Sequence, residues 1–259
     1  YTAAVNGYGH AEHPVNQNAD VQGMNRYFGW YERKIQDIKP WVEGLEKNYP
    51  WQKLMLTEYG ADANLEHQTE YLGDALNWGK PFYPETFQTK VHEYQWNVIA
   101  EHPYIIASYL WNMFDFAVPM WERGGVPARN LKGMVTFDRK IKKDSYYWYK
   151  ANWSKEPVLY LTQRRNVDRE RKETSVTVYS NIGTPVVYLN GKPLEGVRKG
   201  YTEVHYVFDK VTLVQGKNIL KAVVSYQGKE YVDEIEWNYT GEKNRGTVVH
   251  ENKKEHAGW

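Results

Sequence analysis

The run "LMLTEYGAD", residues 54 to 62, carries three apolar residues and a Thr into a Glu just ahead of a glycine. A carboxylate closing an otherwise apolar strand must be capped, paired or used. Glu58 can accept backbone N–H groups of the following loop or meet an arginine, and either role would be purely structural. Its surroundings in the chain point to a third role. Asn25 with Tyr27, and Trp111 with Asn112, fall at or just past the C-terminal ends of neighbouring apolar runs. A tyrosine and an asparagine can orient a carboxylate and bond hydroxyls, while an indole offers the flat apolar face on which a sugar ring stacks. These residue types fit carbohydrate chemistry.

The elements that would position them alternate along the first part of the chain. "YTAAVNG" (1–7), "VQGMNRYFGW" (21–30), "KLMLTEYG" (53–60) and "YIIASYLWNMFDF" (104–116) read as strands. Ile35, Ile38, Val42 and Leu45 recur at helical spacing, with Pro40 suited to a first helical turn. Phe87, Val91, Tyr94 and Val98 mark one face of a helix between Pro84 and Pro103, and 142–153 reads as a last helix. Strands alternating with helices predict a parallel sheet with right-handed crossovers, and four such units make half of an eight-stranded β/α barrel. In that architecture functional groups stand where strands end.

Beyond "WSKEPVLYL" the texture changes to short alternating runs, "SVTVYSN", "PVVYLNGKPL", "HYVFDKVTL", "NILKAVVSY" and "YVDEIEWNY", with turn signals at "NGK" and "QGK". This pattern predicts an antiparallel, immunoglobulin-like sandwich. Nine of the 11 tryptophans precede residue 154, which marks the boundary. The expected organisation is multidomain, α/β followed by all-β: a half barrel over 1–156, a sandwich over 157–240 and a polar tail over 241–259. The charge run "RRNVDRERKET" (164–174) reads as a solvated loop or edge.

Bulk composition narrows the partners. Lys plus Arg (33) nearly balances Asp plus Glu (32), so no field favours nucleic acid or an anionic membrane, and a neutral ligand is the default expectation. No apolar run approaches the ~20 residues of a membrane helix. The absence of cysteine excludes disulfides and thiolate metal sites. It fits a reducing compartment or a periplasm, and a periplasmic or secreted location is the expectation for a bacterial source. His10, His13, His67, His92 and His102 match no ligand spacing, so no metal is expected. No glycine loop with phosphate-binding context occurs, and no cofactor is expected.

Four ordered motifs, "NRYFGWY" (25–31), "LTEYGAD" (56–62), "YLWNMFDF" (109–116) and "NLKGMVTFDRKIKKDSYYWYKANW" (130–153), resemble the C-terminal half of the catalytic barrel of glycoside hydrolase family 2. Residues 157–240 resemble the immunoglobulin-like module that follows it in galactosidase-type members. The resemblance implies barrel strands five to eight, and a retaining exo-acting β-glycosidase of the β-galactosidase type. It places Glu58 on the family's nucleophile and Tyr27 on the tyrosine beside it, whose hydrogen bond favours the ionised carboxylate. Trp111 matches a tryptophan walling the sugar pocket, with Asn25 and Tyr31 as substrate contacts or loop supports. Asn130 and Lys132 match an Asn-x-Lys pair that in the glucuronidase branch meets the sugar's carboxylate, so a β-glucuronidase is the alternative reading. A non-catalytic carbohydrate-binding or structural module is another. The family's acid/base carboxylate follows an asparagine on strand four, and this chain contains no Asn-Glu dipeptide. The expectation is an incomplete catalytic domain, inactive alone, whose partners are a β-linked saccharide, the missing N-terminal half, or a second copy meeting it at the half-barrel edges.

Overall fold

The computed structural model describes residues 2–7, 9–76, 79 and 81–241. Tyr1 and the polar tail from residue 242 lie outside them. Two compact units are present. Among the described residues, the first comprises 2–67 and 72–141, and the second comprises 68–71 and 142–241.

The first unit is organised on four strands, β1 (Ala3–Val5), β2 (Val21–Asn25), β3 (Lys53–Tyr59) and β4 (Ile105–Leu110). All neighbours are parallel and the spatial order is that of the chain, β1-β2-β3-β4. Helix α1 (Ile38–Asn48) connects β2 to β3 and α2 (Glu85–Glu101) connects β3 to β4, the crossovers that parallel pairing demands. Pro40 lies in the first turn of α1, where its missing N–H costs nothing. Ile38, Val42 and Leu45 bury one face of that helix.

The fourth strand is shorter than its apolar run. It stops at Leu110, and a cis peptide bond joins Trp111 to Asn112. The chain then forms an antiparallel hairpin, β5 (Phe116–Arg123) with β6 (Val126–Asn130), turning at Gly124 and Gly125. The sequence reading merged the first residue of this hairpin into the strand, because both segments are aromatic and apolar.

The main segment of the second unit opens on α3 (Asp144–Trp153). The units divide at 141/142, ahead of the expected 156, because α3 packs on the strands that follow: Trp148 lies 5.2 Å from the Tyr179 ring and 5.3 Å from that of His205. One sheet contains β10 (Val186–Leu189), β11 (Lys192–Pro193), β14 (Gly216–Tyr226), β15 (Lys229–Tyr239) and the short β8 (Asp168–Arg169). The other contains β7 (Leu159–Leu161), β9 (Glu173–Ser180), β12 (Val197–Lys199) and β13 (His205–Thr212). Their facing sides share one core, with Val176, Val178 and Phe208 meeting Val187, Leu220, Ile235 and Trp237. Alternation along β14 follows from this arrangement, since only its inward residues are buried.

The charge run 164–174 is not uniformly solvated. Arg169 is 1% exposed, and its guanidinium reaches Glu70 at 2.6 Å, Gln163 at 2.8 Å and Thr174 at 2.7 Å. A charge at that depth requires such partners.

Candidate active site

Strand β3 presents Glu58 through a local irregularity. Leu54 and Leu56 are fully buried on one side of the strand, and strict alternation would put residue 58 on that same side. The pairing with β2 shifts instead: Met24 faces Leu56, while the next residue, Asn25, faces Glu58. The extra residue is a bulge, a device that re-aims side chains. Glu58 is half-buried beyond it, and Tyr59 takes the fully buried position.

Tyr27, two residues past the end of β2, donates its hydroxyl to Glu58 Oε2 at 2.5 Å. Its own placement is over-determined. The Tyr27 N–H donates to Glu32 Oε1 at 3.0 Å, and the Tyr27 carbonyl accepts the N–H groups of Trp30 and Tyr31 at 2.9 and 3.0 Å. Asn25 is buried, and its Oδ1 accepts the Thr57 hydroxyl at 2.7 Å, which ties β2 to the bulge. Asn25 thus supports the strand end on which Glu58 stands.

A second polar cluster lies beside the first. Lys132 is 1% exposed, and its ammonium donates to Asp62 Oδ2 at 2.5 Å and to the Tyr31 hydroxyl at 2.7 Å. The rings of Tyr31, Trp30, Tyr27 and Trp121 surround it, with centroids 4.4, 5.4, 5.6 and 5.9 Å from Nζ. Burial works against this charge, but Asp62 and Tyr31 outweigh it and hold the ammonium above the ordinary lysine range. Asn130 accepts the Lys132 N–H at 2.9 Å through Oδ1 and so shapes the turn between them. The Tyr27 and Tyr31 rings meet edge to face at 5.0 Å, which joins the two clusters.

Trp111 packs against the aromatic core formed by Tyr27, Trp30, Tyr31, Tyr83 and Phe87, and is half-buried. Gly60 allows its approach: φ is +147°, and a Cβ there would come within 2.8 Å of the Trp111 carbonyl oxygen. The candidate residues therefore fall into a Tyr27–Glu58 pair, a Tyr31–Asn130–Lys132 cluster and a flanking Trp111. Sequence reasoning missed Asp62. It lies inside the quoted motif, but among Gly60, Ala61 and Ala63 it reads as a loop residue, and nothing local shows that its partner is 70 residues away. Among the described residues no group of three or more His, Cys, Asp or Glu side chains is placed to hold a metal. Among the described residues no helix is long and apolar enough to cross a membrane.

No family model matches the sequence. A β-glucuronidase of Bacteroides fragilis is 35% identical over 218 residues, covering 83% of this chain and 31% of that protein. A solved Bacteroides fragilis structure named "putative beta-galactosidase" superposes with a TM-score of 0.91 at 82% identity, over 94% of this chain and 36% of that one. The FMN-binding β-glucuronidase of Facaelibacterium prausnitzii L2-6 superposes with a TM-score of 0.79 at 34% identity, over 92% and 35% of the two chains. The chain thus spans about a third of the length of the relatives it matches. Those relatives are β-glycosidases by name, and the likeness supports a glycoside hydrolase kinship for this chain.

Proposed function

We propose that the chain carries the nucleophile of a retaining, exo-acting β-glycosidase, and that the nucleophile is Glu58. The observation that carries this reading is the Tyr27 hydroxyl donating at 2.5 Å to a half-buried carboxylate at the end of a parallel strand. One carboxylate oxygen is held while the other remains to attack. In the first step a Glu58 oxygen bonds to the anomeric carbon as the bond to the leaving oxygen breaks, and a second carboxyl group protonates that oxygen. In the next, that second group takes a proton from water, whose oxygen displaces Glu58 and releases the sugar. A retaining pair stands ~5 Å apart. On this reading the acid/base belongs to the part of the enzyme that the relatives have and this sequence lacks. The parallel sheet is then half of a (β/α)8 barrel, strands five to eight, and the second unit an immunoglobulin-like sandwich.

Two sugars are in contention. A β-glucuronide is favoured by the relatives' names and by the Asn130–Lys132 pair, since Lys132 retains its charge beside Tyr27 with two of three N–H donors engaged. A β-galactoside, the sugar read from the sequence, is favoured by the name of the 82% identical structure. Assays of the full-length enzyme on aryl β-glucuronide and aryl β-galactoside decide between them. Lys132→Ala should cost a glucuronidase roughly tenfold to a hundredfold in kcat/KM on the glucuronide, as expected for a charged hydrogen bond. Equal activity of this chain alone and of the full enzyme would refute the missing acid/base.

The partner proposed for the chain is the remainder of the barrel, or failing it a second copy. β1 and β4 are the edges of the parallel sheet, and Val5, Ile106 and Tyr109 on them are more than half exposed. Unpaired edges with exposed apolar side chains favour association. Sedimentation of the chain should show concentration-dependent assembly, and a monomer across all concentrations argues against it.

A further inference from the structure

We infer that Asp62 is a positioning residue that fixes Lys132 as a cation beside Tyr27 and thereby sets a preference for a sugar bearing a carboxylate over a neutral one. This rests on the glucuronide reading above.

The geometry is a clamp made by one carboxylate. Asp62, 3% exposed, accepts the Leu131 N–H at 2.9 Å through Oδ1 and the Lys132 ammonium at 2.5 Å through Oδ2. The Ala63 N–H adds a bond to the Leu131 carbonyl at 3.0 Å. Backbone and side chain of the Asn130–Lys132 turn are therefore docked together on the continuation of β3. Because Glu58 and Asp62 lie four residues apart on that continuation, the nucleophile and the cation are registered by a single stretch of chain. Among the described residues Asp62 is the carboxylate bonded to the ammonium; Tyr31, Tyr27, Trp30 and Trp121 surround it, and the Glu58 carboxylate stands on the far side of Tyr27. Asp62 also acts on Tyr83, which burial first and then Asp62 push up while Arg123 opposes the shift. Without Asp62, desolvation of Lys132 is opposed by Tyr31 alone among the groups acting on it, and the amine gives up its proton more readily. A neutral amine loses most of its attraction for a carboxylate and leaves a neutral sugar unaffected.

The test uses the full-length enzyme with Asp62→Asn, in which the amide oxygen can still take the Leu131 N–H. The expected result is a fall of roughly tenfold to a hundredfold in the glucuronide-to-galactoside ratio of kcat/KM, carried by the KM for glucuronide. The loss should deepen as pH rises, because the lowered lysine pKa is crossed from its charged side. Asp62→Glu, which keeps the charge, should recover part of the ratio. A ratio unchanged at every pH, or equal losses on both sugars, would overturn the inference and leave Glu58 untouched. A wild-type enzyme that cleaves galactoside but not glucuronide would sink the glucuronide reading and this inference together. In the chain itself, the nitrogen NMR signal of the Lys132 ammonium should titrate above ordinary lysine in the wild type and at lower pH than that in Asp62→Asn. Coincident titrations would contradict the clamp, and should Asp62→Asn fail to fold, Asp62→Glu carries the test by retaining an elevated titration.

Discussion

Lys132 with Asp62 in the first unit and Arg169 with Glu70 in the second are both almost completely buried ion pairs, yet they are built differently. The guanidinium of Arg169 is bonded to Gln163, Thr174 and Glu70 and stacks 4.0 Å from the Trp237 ring centroid, while Glu70 also accepts the Glu170 and Arg171 N–H groups at 2.6 and 3.0 Å. Burial still draws Arg169 down to about 10, which shows how much desolvation the pair must offset. Every part of this network faces its own unit, and it reads as a structural pin. Lys132 has one carboxylate, one hydroxyl and a cage of rings, and it sits within reach of the tyrosine that holds Glu58. The pin is bonded within its own unit, whereas the Lys132 pair stands beside the tyrosine that bonds Glu58.

Breaking the pin should have the largest effect. Glu70→Ala leaves a buried guanidinium without its counter-charge, and the second unit should lose ~3–5 kcal/mol, read as a lower melting temperature. An equal loss in protection of β2 and β3 by hydrogen exchange would show that the pin is not confined to its unit.

Acid offers a second way to separate the units. His205 is buried, its Nδ1 accepts the Tyr201 N–H at 3.1 Å, and burial, helped by Arg198, pushes its pKa down to about 4. An unfolded histidine takes its proton near 6.5, so the unfolded state binds more protons between these values. The stabilisation is complete above about 6.5 and is lost as pH falls toward 4, by ~3 kcal/mol in all. Exchange protection in β9 and β13 should fall over that window and flatten in His205→Gln. A pH-independent β13 in the wild type would count against this assignment.

Removing the Tyr27 hydroxyl tests the site side of the comparison. Tyr27→Phe should slow formation of the glycosyl-enzyme by ~1.5–3 kcal/mol, roughly tenfold to a hundredfold, without lowering the melting temperature of the second unit. The smallest effect belongs to the exposed pair Arg198–Asp209 on β12 and β13, where Asp209→Ala should change stability by ~0–1 kcal/mol. A loss as large as that of Glu70→Ala would erase the distinction between buried and exposed pairs.

Much of this was legible in the sequence because it depends on local periodicity. The strands read over 21–30 and 53–60 appear at 21–25 and 53–59, the first ending earlier than its apolar run, and the helices read between Pro84 and Pro103 and over 142–153 appear at 85–101 and 144–153. The pairing of Tyr27 with Glu58 is implied by the family resemblance rather than by spacing. What escaped depends on distant partners. Lys132 resembles a surface lysine beside a turn asparagine until Asp62 and Tyr31 close over it, and Arg169 resembles a member of a solvated charge run until Glu70 reaches it from 99 residues away. The hairpin β5–β6 was hidden for a different reason: its aromatic first strand continues the apolar run of β4, and a break in backbone geometry at Trp111–Asn112 has no compositional signature.

Covalent trapping gives the most direct measurement. The full-length enzyme is treated with an activated 2-fluoro-glycoside, digested, and the labelled peptide sequenced by mass spectrometry. The label should sit on Glu58 within "LMLTEYGAD", and Glu58→Gln should remain unlabelled. A label on any other carboxylate, or undiminished labelling of Glu58→Gln, would contradict the assignment of the nucleophile.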